Sequence, residues 1–143
     1  RDPAAAAFGV VGAGVLVKGV EALKKNELMD QTLTRKLTHI LSGPLFMLSW
    51  ALYSDLPGAK WLAAAAPALN LVRLLVVGSG LLQDEDSVAS ISRSGDKAEL
   101  LAGPTYYVIV MLVCTVCFWR TSAAGVVALS MMCAGDGLAD VVG

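Results

Sequence analysis

Charged residues cut the sequence into long uncharged runs. Residues 3–17, 37–54, 100–119 and 121–135 hold no Lys, Arg, Asp or Glu, and residues 61–83 are interrupted only by Arg73. A membrane helix needs about 20 mainly apolar residues, within a range of roughly 17–25. The 20 residues of 100–119 meet that length, the 18 of 37–54 nearly do, and 61–77 reaches it if Arg73 is accommodated. The run 3–17 extends through Gly19 and Val20 if Lys18 snorkels. The run 121–135 needs Asp136 to lie at the membrane surface or to face a polar site. The dyad alternation of barrel strands is absent. Five near-apolar runs in 143 residues are too many for the core helices of a water-soluble domain. The pattern predicts an all-α, polytopic membrane helix bundle of about five spans, forming one domain over residues 1–143.

The polar intervals supply the connections. Residues 18–36 are polar enough for a short surface helix around 21–30. Residues 54–60 carry Pro57 and Gly58 and read as a turn. The longest polar stretch, 78–103, opens on Gly78, Ser79 and Gly80. It continues through Asp84, Glu85 and Asp86, which read as a solvated face, and breaks at Ser94, Gly95 and Asp96. Residues 92–96 read as a plain loop or, alternatively, as a mobile loop near the site, and 97–101 as a short interfacial turn. If all five runs cross, the first and third loops share one side and carry seven basic residues, against three on the other. The positive-inside rule puts the basic side in the cytoplasm or its organellar equivalent. Counting spans then brings Arg35, Lys36 and the segment after Cys133 to the same membrane face.

Composition agrees. Apolar types make up 56% and charged types 16%, against roughly 25% charged residues in ordinary soluble domains. Such apolar content excludes disorder. A net charge of −1 leaves no basic footprint for nucleic acid. Three cysteines, all in apolar runs, do not suggest a disulfide framework. Cys114 and Cys117 have metal-ligand spacing but lie mid-run without a second pair. Trp50, Trp61, Trp119 and Tyr53 fall near run ends, as interfacial aromatics do.

The candidate chemistry concentrates at the C-terminal end. On a helix, Asp136 and Asp140 share one face. Two carboxylates so placed suit Mg²⁺, which keeps waters and phosphate oxygens among its ligands. Gly135, Ala139 and Gly143 form a small-residue stripe along which a phosphate chain or another helix could approach. Helix packing explains that stripe alone. It does not explain two acids at the end of an apolar run, where ionisable groups default to function. Arg35 and Lys36 open the second run and suit phosphate neutralisation, or alternatively headgroup anchoring. His39, one turn on, could hold a hydroxyl or phosphate, or be a satisfied packing histidine. Arg73, next to Asn70 in helical register, needs a partner: a carboxylate such as Asp136 or Asp140, a bound phosphate, or the interface. There is no Walker P-loop, protein-kinase signature or GxSxG elbow.

An ordered set of motifs resembles plant phytol kinases of the polyprenol kinase family, which includes farnesol kinases and is related to dolichol kinases. The set comprises Arg35-Lys36-Leu37-Thr38-His39, then Asn70-Leu71-Val72-Arg73, then Arg93 with Glu99-Leu100-Leu101-Ala102-Gly103-Pro104. Phe118-Trp119-Arg120-Thr121-Ser122 follows, and then Met131-Met132-Cys133-Ala134-Gly135-Asp136-Gly137-Leu138-Ala139-Asp140. The resemblance covers residues 35–143. Ala134 stands where the family pattern carries Gly, and relatives are expected to continue past Gly143 with a polar segment and further spans. The resemblance implies a multi-pass chloroplast-membrane enzyme, delivered by a transit peptide, that moves the γ-phosphoryl of CTP to phytol and feeds tocopherol synthesis. It assigns CTP binding to Gly135, Asp136, Gly137, Ala139, Asp140 and Gly143, with Arg35, Lys36 and His39 matching the other motif. In the mechanism expected on this basis, Asp136 and Asp140 hold Mg²⁺ on the CTP phosphates and Arg35 and Lys36 offset their charge. His39 or one Asp accepts the phytol proton. Farnesol or geranylgeraniol as acceptor, cytidylyl transfer, and a non-catalytic truncated isoform are the alternatives.

Overall fold

A computed structural model describes residues 1–143, the side chains of Ser90 and Asp140 excepted. Helix α1 (Asp2–Lys25) is followed by α2 (Gln31–Ser49), which tightens into a 3₁₀ turn at Trp50–Leu52. Next come α3 (Ala59–Gly78), the short α4 (Glu85–Ile91) and a 3₁₀ turn at Lys97–Leu101 leading into α5 (Gly103–Phe118). The chain ends in one continuous helical segment: α6 (Ala123–Ser130), a π turn (Met131–Gly135) and α7 (Asp136–Val142).

This is the expected helix bundle. Among the described residues, three helical segments are long and apolar enough to cross a membrane: Asp2–Lys25, Ala59–Gly78 and Lys97–Phe118. The other two runs also form helices. However, α2 spends its first turns on Gln31, Thr34, Arg35, Lys36 and His39, and the apolar part of the last segment, Ala123–Ala139, is shorter. Both give up apolar length to polar residues at the same end of the bundle. The surface helix expected around residues 21–30 does not form separately. Instead α1 runs on through Lys25, where Lys24 and Lys25 complement its C-terminal dipole. Asp30 then starts α2 by accepting a hydrogen bond from the Leu33 N–H at 2.7 Å.

α3 packs against α5, and α1 against α2 and α3. Buried Leu74, Val77, Leu100 and Val108 join α3 to α5, Ala5, Tyr53, Ala59 and Ala63 join α1 to the start of α3, and Trp50, Met111, Cys114 and Leu129 join the end of α2 to α5 and α6. Elsewhere the apolar side chains point outward. Phe8, Val15, Leu48, Leu69 and Val127 are more than half exposed, and only 6% of the apolar window of α1 is buried. So much exposed apolar surface suits hydrocarbon, not water.

The two ends of the bundle differ. At one end Trp119 stacks on Trp50 and Tyr53, with ring centroids 5.1 and 5.9 Å away. There Arg120 donates to the Tyr53 carbonyl, and the Asp2 carboxylate accepts from Ser54. At the other end the first and third loops meet, as the charge count expected. Lys24 Nζ donates to the Ala89 carbonyl and Gln31 Nε2 to the Ser92 carbonyl, both at 2.7 Å.

The last segment reaches α2 through glycine. A methyl on Gly43 would collide with Cys133 Sγ and Cβ, and one on Gly137 would collide with Ile40 Cγ1. Replacing Gly43 with Val should therefore cost about 1–3 kcal/mol by overpacking. It should lower the unfolding midpoint in detergent, and an unchanged midpoint would show that α2 and the π turn are not in contact.

Arg73 has the carboxylate partner expected of it, but that partner is Asp84 and not Asp136 or Asp140. Its guanidinium bonds Asp84 Oδ2 at 2.7 Å and the Ser87 hydroxyl, tying α4 to α3. Asp84 is thus an anchor and not part of a solvated face. Burial pushes its carboxyl up, but hydrogen bonds from Arg73 and from the Ser87 hydroxyl and N–H outweigh this, leaving it at about 2 against an ordinary 3.8. A depressed carboxyl stabilises the fold above its unfolded value and loses that contribution as pH falls through its folded value. Pepsin cleavage within residues 79–96 should accordingly rise as pH drops from about 4 towards 2. A cleavage profile that Asp84→Asn leaves unaltered would contradict this anchor.

Candidate functional site

The expected convergence of the second and last runs is present. α2 carries Arg35, Lys36 and His39 on successive turns, all half-buried. α7 begins at Asp136, whose carboxylate is 80% exposed and lies 3.7 Å from His39 Nε2. The π turn sets this approach. Its wider winding shifts the hydrogen-bond register by one residue, and the Met132 carbonyl accepts from His39 Nε2 at 3.1 Å. A carbonyl only accepts, so Nε2 carries the proton in this contact and Nδ1 keeps the lone pair of the neutral ring.

Tyr107 on α5 supports the histidine from behind. The two rings lie 4.4 Å apart. The Tyr107 hydroxyl is 3.1 Å from the His39 carbonyl, 3.0 Å from Ser42 Oγ and 2.9 Å from Cys133 Sγ. The cluster fixes α2, α5 and the π turn around one imidazole. Sequence reasoning missed Tyr107, because no local spacing links residue 107 to 39 or 133.

The small residues of the last segment lie in two different settings. Gly135, Ala139 and Gly143 all lie on exposed positions. The close approach belongs to Gly137, which is buried against Ile40 and His39. The backbone of Asp140 lies in α7, one turn past Asp136, and its side chain falls outside the described residues.

An open cleft of about 250 Å³ lies at the N-terminal end of α2, lined by Gln31, Thr32, Arg35, Lys36, Ser92 and Arg93. Three cationic side chains and the first turn of a 19-residue helix suit an anion, phosphate above all. Arg35 and His39 are four residues apart, roughly 6 Å along the helix axis. The cleft and the His39–Asp136 pair are therefore adjacent parts of one polar surface at one end of an apolar bundle. Among the described residues no group of three or more His, Cys, Asp and Glu side chains could hold a metal ion. Asp136 fits the single-carboxylate role that Mg²⁺ accepts when substrate phosphates supply other ligands. Cys114 and Cys117 are free thiols, one buried and one exposed.

No family model matches the chain, and no solved structure matches it. Curated plant proteins do. A probable chloroplastic phytol kinase 1 of Glycine max is 48% identical over 141 residues, 98% of this chain and 47% of the relative. A probable chloroplastic phytol kinase of Triticum aestivum is 49% identical over 143 residues, 100% of this chain and 48% of the relative. The chloroplastic phytol kinase 1 of Arabidopsis thaliana is 43% identical over 132 residues, 92% of this chain and 43% of the relative. The chain thus spans about half the length of the curated relatives it matches. Identity at this level across nearly every residue makes the chain a homologue of the plant chloroplastic proteins named phytol kinase.

Proposed function

We propose that the protein to which this chain belongs is a chloroplast-membrane kinase that phosphorylates phytol from CTP. The phytol hydroxyl oxygen bonds to the γ-phosphorus, the bond from that phosphorus to the β,γ-bridging oxygen breaks, and CDP leaves. The hydroxyl proton passes to a protein base. The product, phytyl phosphate, would enter tocopherol synthesis. The observation that carries this reading is the His39–Asp136 pair one helical turn from a tricationic cleft, at the end of a bundle whose flanks are apolar.

Phosphoryl transfer asks little covalent chemistry of a protein; positioning and charge stabilisation do most of it. Arg35 and Lys36 would offset the charge of the donor phosphates. Asp136, together with Asp140, would hold Mg²⁺, which neutralises charge on the phosphate oxygens when bound. His39, with Nε2 engaged by the Met132 carbonyl, would offer Nδ1 to the alcohol proton, with an Asp carboxylate as the other candidate base. The prenyl tail would stay in lipid beside the outward apolar side chains and present only its hydroxyl at the polar end. This explains why the enzyme is a membrane bundle: its acceptor partitions into the bilayer.

Asp136→Asn keeps the size of the side chain and removes its charge. In membranes given labelled phytol, CTP and Mg²⁺, this variant should lose on the order of 10²–10³-fold in turnover while inserting normally. Wild-type turnover by Asp136→Asn would reject the assigned role.

A further inference from the structure

The loop of residues 92–96 is built, and it is built from the far side of the sequence onto the first turns of α2. The anchor of α4 to α3 through Arg73 holds its root. Lys24 and Gln31 seize the Ala89 and Ser92 carbonyls from α1 and α2. Ser92 is 1% exposed, and its hydroxyl accepts the Gly95 N–H at 2.9 Å. Gly95 itself sits at φ +84°, which glycine adopts without strain. The Glu99 carboxylate closes the turn by accepting from the Arg93 and Ser94 N–H groups and, at 2.7 Å, from the Ser94 hydroxyl. Glu99 thereby holds the loop through three hydrogen bonds, with the Arg93 charge also favouring its ionised form. The result is that Arg93 lines the same cleft as Arg35 and Lys36, although 57 residues separate it from Lys36 in the sequence.

Resting on the kinase reading above, we propose that Arg93 is the third cation of the donor site and binds the phosphate tail of the nucleoside triphosphate, with Glu99 as the positioning residue that shapes its loop. A triphosphate carries more negative charge than Arg35 and Lys36 neutralise, and the planar guanidinium fork suits phosphate oxygens better than a further ammonium would. Gln31 and Thr32 complete the cleft with polar groups at a helix N-terminus, where partial positive charge collects.

Two readouts test this. In membranes making phytyl phosphate, Arg93→Gln should raise the KM for CTP on the order of 10–100-fold and leave the KM for phytol within twofold. Arg93→Lys should recover part of that loss. Glu99→Gln should raise the KM for CTP with little change in kcat, which general misfolding would not do. A CTP KM unmoved by Arg93→Gln overturns the proposal, and continued phytyl phosphate formation then leaves the kinase reading standing. The second readout needs no turnover. Trypsin cleaves after Arg93, and CTP or inorganic tripolyphosphate should protect that bond in neutral phosphatidylcholine vesicles. Arg35→Gln should shift the protection to at least tenfold higher concentration. Such protection in a protein that phosphorylates no alcohol would keep the anion site while the kinase reading fails. Protection given by anionic phosphatidylglycerol vesicles alone and indifferent to CTP would assign the cleft to lipid headgroups and overturn the nucleotide assignment.

Discussion

The architecture of the site depends on one close contact, that of α2 with the last helical segment through Gly43 and Gly137. Neither glycine is needed for backbone freedom. Each is needed because its missing methyl is where Cys133 or Ile40 sits. In hydrocarbon there is little hydrophobic drive for helices to associate, so intimate packing through small residues does that work. Here it also sets the register. Once Cys133 lies against Gly43, the π turn brings the Met132 carbonyl to His39 Nε2 and Asp136 to 3.7 Å from the same nitrogen. Tyr107 then closes the cluster from α5.

The remaining asymmetry suits a bilayer. The helix flanks expose Phe8, Val15, Leu69 and Val127, and the polar groups retreat to the two ends. At one end aromatic rings and the Asp2–Ser54 and Arg120–Tyr53 bonds close the bundle. At the other, backbone carbonyls of the third loop are bound by Lys24 and Gln31, and the cations face an open cleft. A water-soluble phosphate donor and a lipid-dissolved alcohol can meet only at such a boundary.

Much of this was legible in the sequence, because hydrophobic run length and charge placement are direct statements about solvent. They located most of the helices, the turn at Pro57 and Gly58, and the placing of Arg35, Lys36 and His39 at the same end of the bundle as Asp136. What escaped were features decided by tertiary packing. The run from Asp84 to Asp86 looks solvated until Arg73 reaches out from α3 to take Asp84. Periodicity assumes 3.6 residues per turn, so it could not foresee a π turn at Met131–Gly135. The close approach of Gly137 to Ile40 on α2 was likewise not foreseen. The sequence offered residues 92–96 as a plain loop or one near the site, but not the partners of Arg93, because its neighbours in the cleft come from residues 31–36.

The central claim is that this surface transfers a terminal phosphoryl group to a prenyl alcohol. Membranes containing the protein, given phytol, Mg²⁺ and CTP labelled at either the γ or the α phosphorus, test it most directly. The account predicts label in phytyl phosphate from γ-labelled CTP and none in lipid from α-labelled CTP. Lipid labelled from the α position would mean nucleotidyl transfer with release of pyrophosphate, and would contradict the account.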